Sequence, residues 1–212
     1  MERKGMIKDD PIRKFLDNLA SKAPTPGGGS AAAILGAMGA ALVSMVCNLT
    51  IGKKNYEAVE TEMAEALAQA ESLRERLTDL VRADVEAFDR VMEAYGMPKE
   101  DESQKQVRSR AIQEALKEAT EVPLACAEAA AQIIRLSRTV AEKGNRNLAA
   151  DAGVAVATGH AALRSAALNV YVNTNAIKDE AFVNSRLKQL NGILAGMDEL
   201  NDEIYEMARN RL

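Results

Sequence analysis

From Ser30 to Ile51 the chain runs for 22 residues without a charged side chain, and Pro24-Thr25-Pro26-Gly27-Gly28-Gly29 leads into that run. A stretch of this length is a helix covered by other helices or a membrane span. It is dominated by Ala and Gly rather than Leu and Ile, carries Ser44, Asn48 and Thr50, and repeats small residues at Ala32, Gly36, Ala40 and Ser44. Small residues every fourth position let helix axes approach closely. The expectation is therefore the central helix of a bundle or of an oligomer interface, with no membrane partner.

The approach to that helix is shaped by its backbone. Two prolines stiffen it, and three glycines permit angles closed to other residues. Ser30 reads as a helix cap before Ala31-Ala32-Ala33. Glycines in front of a helix expose bare N–H groups to an anion or a flat ligand. Gly27, Gly29 and Ala32 formally fit a dinucleotide fingerprint. That motif needs a strand before it and an acid about 20 residues later, whereas Pro24-Thr25-Pro26 precedes it and Lys53-Lys54 follow. The Gly-Lys-Ser/Thr ending of a triphosphate loop is missing too. A plain inter-helix turn stays open as the alternative to a site.

The rest of the chain is helical in pattern. With 47% hydrophobic and only 3% aromatic residues, its 212 residues suit one domain (1–212) of closely packed helices. Asp10-Pro11 marks a first helix with an apolar face at Ile12, Phe15, Leu16 and Leu19. Residues 55–95 form a long amphipathic helix, and 104–143 another, interrupted or kinked at Pro123. Residues 147–173 and 179–209 complete an all-α, up-and-down bundle of long antiparallel helices. The net charge of −4, with signs interspersed, leaves no basic footprint for nucleic acid. Cys47 and Cys126 read as buried free thiols, and the charged Met1–Asp10 segment has no apolar signal core, so a cytoplasmic setting is expected.

Polar residues at inward positions are the candidates for chemistry. Asp84 continues the apolar stripe of Leu77, Leu80 and Val81, with Phe88 one turn on. A carboxylate there is paired, for instance with Arg164, or functional. Asn147 and Asp151 share a face, as do Asn169 and Asn173. Asp151 and Asn169 point the same way but lie about 27 Å apart on a straight helix. They serve an elongated ligand, separate sites, a two-fold interface, or polar seams between helices. His160, the single histidine, reads as packed or partly exposed. Lys53-Lys54-Asn55-Tyr56 is an ordinary helix end or an anion contact.

Several of these segments together resemble the cyclodeaminase/cyclohydrolase family of folate enzymes. They are Pro24–Ala33, Gly39–Lys54, Asp84–Asp89, Ala141–Asn145, Asp151–Val156 and Leu163–Asn173. The resemblance implies a dimeric helical bundle without a cofactor that hydrolyses 5,10-methenyltetrahydrofolate to 10-formyltetrahydrofolate. Its substrate carries an electrophilic amidinium, so neither metal nor covalent nucleophile is needed; a carboxylate suffices to orient and deprotonate water. Asp151 and Asp84 are the catalytic candidates, with Asp151 ahead. The wall of the folate pocket is assigned to Pro26, Gly27, Gly28, Gly29 and Ser30, with Asn147, Asn169 and Asn173. The glutamate tail falls to Lys53, Lys54, Tyr56 or Arg164. A cyclodeaminase releasing ammonia and a non-catalytic folate-binding helical protein are the competing readings.

Overall fold

A computed structural model describes residues 11–212, all of its regular elements helical: α1 (Ile12–Leu19), α2 (Gly28–Asn48), α3 (Glu60–Gly96), α4 (Glu102–Lys143), α5 (Ala149–Thr174), α6 (Glu180–Leu194) and α7 (Met197–Arg209). Asp10, expected to cap α1, lies outside the described residues; Pro11 occupies the cap position itself. Of the expected apolar face of α1 only Phe15 is buried, and Ile12 and Leu16 are exposed.

The uncharged run folds as α2, packed against α3, α4 and α5. It is long and apolar enough to cross a membrane, yet Ala32, Ala40, Val43, Val46 and Cys47 are sealed among neighbouring helices. Small residues set the spacing. Gly36 faces Leu77 and Ala162, and a side chain at Gly39 would press within 3.1 Å of Ile133 and the Ala155 carbonyl. Around this seam Leu77, Ile133, Ile134, Val156 and Leu163 complete one core. Both cysteines are free and buried there, and burial pushes their thiols up, Cys47 to about 11 and Cys126 to about 12.

Polar ties close the ends. Thr50 donates to the Val46 carbonyl and accepts the N–H of Asn145, whose amide donates to Leu49. Thr50 thereby joins the end of α2 to the end of α4. Between α3 and α4 run the ion pairs Glu62–Lys143, Arg76–Glu128 and Arg90–Glu118. As half-exposed pairs they select register more than they add stability.

Three boundaries differ from expectation. α4 runs unbroken through Pro123, which is buried. The expected 179–209 helix is two, because Gly196 takes φ +73° between α6 and α7. α5 begins at Ala149 after a short 3-10 turn, Arg146–Leu148, so Asn147 is not on its helical face.

Candidate functional site

Where the glycine turn meets the middle of α3, the helices leave a cavity of about 440 Å³. Its size is that of small-molecule sites generally. One wall is a single face of α3, with Asp84, Phe88, Met92 and Tyr95 about one turn apart. Gly27, Gly28 and Gly29 close one end; Pro123 and Ala119 of α4 and Asn169 and Asn173 of α5 are among the residues that line the other side. From Asp84 to Tyr95 the α3 wall is about 16 Å long, eleven residues at helical rise. Among the described residues, Asp84 is the one charged residue lining it.

The closed end is organised around that carboxylate. Gly27 takes the cap position of α2 without a side-chain cap. Ser30, expected as the cap, lies inside the first turn and is completely buried. Its hydroxyl donates to Asp84 Oδ2 at 2.7 Å, and its backbone N–H helps to hold that carboxylate ionised. A carboxylate of α3 thus stands at the first turn of α2, at the positive end of the helix dipole. Gly29 makes room: a β-carbon there would stand 2.0 Å from Asp84 Oδ1. Burial raises the pKa of Asp84, while the two Ser30 donors pull it back down.

Two asparagines complete the wall. The Asn169 amide donates to the Ser165 carbonyl, which turns its head toward Gly28. Asn173 donates to the Ala119 carbonyl at 2.8 Å and ties α5 to α4 beside the cavity. Pro26 is buried just behind the turn, following a cis Thr25–Pro26 bond, and does not line the space.

The remaining sequence candidates lie elsewhere in the chain. Lys53, Lys54 and Tyr56 follow the C-terminal end of α2, about 30 Å of helix away from Gly28. Lys53 sits 5.9 Å over the Tyr56 ring, and the Tyr56 hydroxyl accepts the Arg146 N–H. Asn147 is in the adjoining turn, its N–H bound to Asn145 Oδ1. Asp151 occupies the first turn of α5, at the end remote from Asn169. Arg164 does not meet Asp84; it lies 3.6 Å from Asp198, which also bonds His160 at 2.6 Å.

Met92 and Tyr95 are among the lining residues that motif reading passed over, and Phe88 was noted without a role. Their signal was present: Asp84, Phe88, Val91 and Tyr95 fall at i, i+4, i+7 and i+11, the spacing of one helix face.

Comparison with known proteins places the fold in a family. The model of a family described as formiminotransferase-cyclodeaminase matches residues 11–192. A methenyltetrahydrofolate cyclohydrolase of Methylorubrum extorquens is 56% identical over 207 residues, covering 98% of this chain and all of that protein. The formimidoyltransferase-cyclodeaminase of Sus scrofa is 36% identical over 81% of this chain, which spans 32% of the longer protein. The crystal structure of formiminotetrahydrofolate cyclodeaminase from Thermotoga maritima superposes with a TM-score of 0.86 at 35% identity, over 96% of this chain and 98% of that one. With an all-helical fold shared over nearly its whole length, the chain belongs to the formiminotransferase-cyclodeaminase family.

Proposed function

We propose that this chain is a hydrolase that opens 5,10-methenyltetrahydrofolate to 10-formyltetrahydrofolate, with Asp84 as its reacting carboxylate. The observation that carries the proposal is Asp84 itself, fixed at the closed end of a cavity whose other described lining residues carry no charge. Near full-length similarity to a cyclohydrolase supports the choice of reaction. The substrate bridge between N5 and N10 is a delocalised cation, and a partly buried carboxylate attracts it more strongly than one in water. Asp84 orients a water against the bridging carbon and takes one of its protons as the C–O bond forms. The tetrahedral adduct then collapses: the C–N5 bond breaks, the hydroxyl becomes the formyl carbonyl, and N5 receives a proton. One proton from the water is released to solvent.

Loss of the methenyl chromophore, measured against buffer with and without a chelator, tests this directly. Acceleration that survives chelation is expected. A protein that leaves the buffer rate unchanged would overturn the proposal. Release of ammonia from 5-formiminotetrahydrofolate tests the cyclodeaminase reading, which the similarity to the Thermotoga maritima enzyme favours. The pH profile gives a second check. Because burial raises the Asp84 pKa and the reactive form is the carboxylate, kcat/KM should fall as pH drops through that raised value. The acid limb should sit above the ordinary aspartate value of about 3.9. A limb at or below that value would remove Asp84 from this role.

The proposal includes an up-and-down antiparallel arrangement and a homodimer. The ion pairs between α3 and α4 support the first, since their numbers rise along one helix and fall along the other. The outer faces of α2 and α5 support the second. Met38, Leu49, Val154, Leu168 and Val172 are each exposed by half or more on two helices packed side by side, and α2 carries no charge to oppose a second copy. Equilibrium sedimentation should give twice the mass of the 212-residue chain; a monomer at micromolar concentration would refute the dimer.

A further inference from the structure

The cavity has two different ends. At the closed end stands Asp84; at the other, the α3 wall finishes at Tyr95. Arg108, in the second turn of α4, reaches back over that residue. Its guanidinium carbon lies 5.7 Å from the centre of the Tyr95 ring, and Nε and Nη2 donate to the Tyr95 carbonyl at 3.2 and 3.0 Å. The carbonyl belongs to the last turn of α3, the negative end of that helix dipole. Two of the five guanidinium N–H groups are used in this way, which leaves the Nη1–Nη2 edge with three donors to offer.

Three cations on nearby turns are engaged with carboxylates. Lys105 pairs with Glu102, Lys117 with Asp179 at 3.0 Å, and Arg90 with Glu118 at 3.3 Å. Among the described residues no carboxylate comes within ion-pair distance of Arg108. The partners it does have, a carbonyl and an aromatic face, hold the fork in place without neutralising it.

We propose that Arg108 is the anion-binding residue of this site and takes the glutamate carboxylate of the folate. The inference rests on the cyclohydrolase reading above. A folate carries its reactive cation and its carboxylates at opposite ends of a rigid benzoyl amide. The cavity presents an anion at its closed end, and Arg108 holds a cation over Tyr95, just beyond the far end of an apolar wall of Phe88, Met92 and Tyr95. The benzoyl ring lies along that wall, and a carboxylate meets the free edge of the guanidinium in a bidentate pair. Lys53 and Lys54, the cations favoured by sequence reading, are at the other end of α2 and do not line this cavity.

The test compares 5,10-methenyltetrahydrofolate with 5,10-methenyltetrahydropteroate, which lacks the glutamate. Arg108→Gln should raise KM for the folate about 10- to 100-fold, the worth of charge-assisted hydrogen bonds. The same variant should handle the pteroate within about 2-fold of the wild type. Arg108→Lys, keeping charge but not the fork, should restore part of the folate KM. Equal effects on both substrates would mean Arg108 serves only to hold the end of α3, and no effect on either would mean the tail binds elsewhere; both overturn the inference. Calorimetric binding of tetrahydrofolate and tetrahydropteroate separates this from the parent reading. Arg108-dependent preference for the folate without turnover would uphold the anion site while refuting the hydrolase.

Discussion

Asp84→Asn should lower kcat for methenyl hydrolysis by about 10²- to 10⁴-fold, the usual contribution of a positioned general base. Asparagine has the same shape, and its carbonyl oxygen still accepts from the Ser30 hydroxyl, so the tie between α3 and the first turn of α2 stays. What disappears is the charge and the ability to accept a proton from water. Because burial disfavours the ionised carboxylate at this position, removing the charge should not lower the melting temperature. Binding of the cationic substrate should also weaken, while uncharged folate forms bind nearly as before. Asp151→Asn supplies the contrast: at the remote end of α5, it should keep turnover within a few-fold of wild type. Near-normal turnover by the Asp84 variant, or a collapse in the Asp151 variant, would reverse the assignment.

Gly29→Ala is the second change with a large expected effect, and it works through space rather than charge. A β-carbon would stand 2.0 Å from Oδ1, 2.6 Å from Cγ and 2.9 Å from Oδ2 of Asp84. All three atoms are at the end of a side chain, so the chain can relieve the clash by rotating the carboxylate away. Doing so breaks the 2.7 Å bond from Ser30 and swings the base off the closed end of the cavity. Displacement of a reacting group by about 1 Å is enough to cost 10²-fold, and a loss of at least that size is expected. Alanine is the better helix former by about 1 kcal/mol, which offsets part of the lost Ser30 bond. The diagnostic result is a folded protein with a nearly unchanged melt and little activity. Turnover within a few-fold of wild type would show that the carboxylate need not sit where Gly29 allows it.

How far the site could be read beforehand depends on which kind of information each residue carries. Asp84 was legible because a charge in an apolar stripe violates a local pattern. Asn169 and Asn173 were legible as a pair for the same reason, one turn apart on an alanine-rich helix. Asp151 stood out by the same rule, and nothing local separates it from Asp84. Ser30 looked like a cap since it follows glycines; its actual acceptor lies 54 residues away on α3, beyond any local rule. Tyr95 shared the helix face of Asp84, but nothing local marked it or Arg108 as a pair. An aromatic near a helix end and an arginine in an amphipathic helix are both ordinary until folding sets one over the other.

Helix content, the buried character of the uncharged run and the two breaks at Gly96 and Gly144 follow from the sequence, because periodicity, propensity and glycine act within a few residues. The continuity of α4 through Pro123 and the break at Gly196 do not, since neighbouring helices decide whether a local preference is overridden. The sequence even supplied the rise that separates Asp151 from Asn169. It could not say which end would meet the glycine turn. Only the tertiary structure decided that, by packing α2 between α3 and α5 so that Gly28 and Gly29 come up against Asn169 and Asp84. A helix fixes distances along its own axis; a cavity is made of residues on different axes, and their meeting is a property of the packed core.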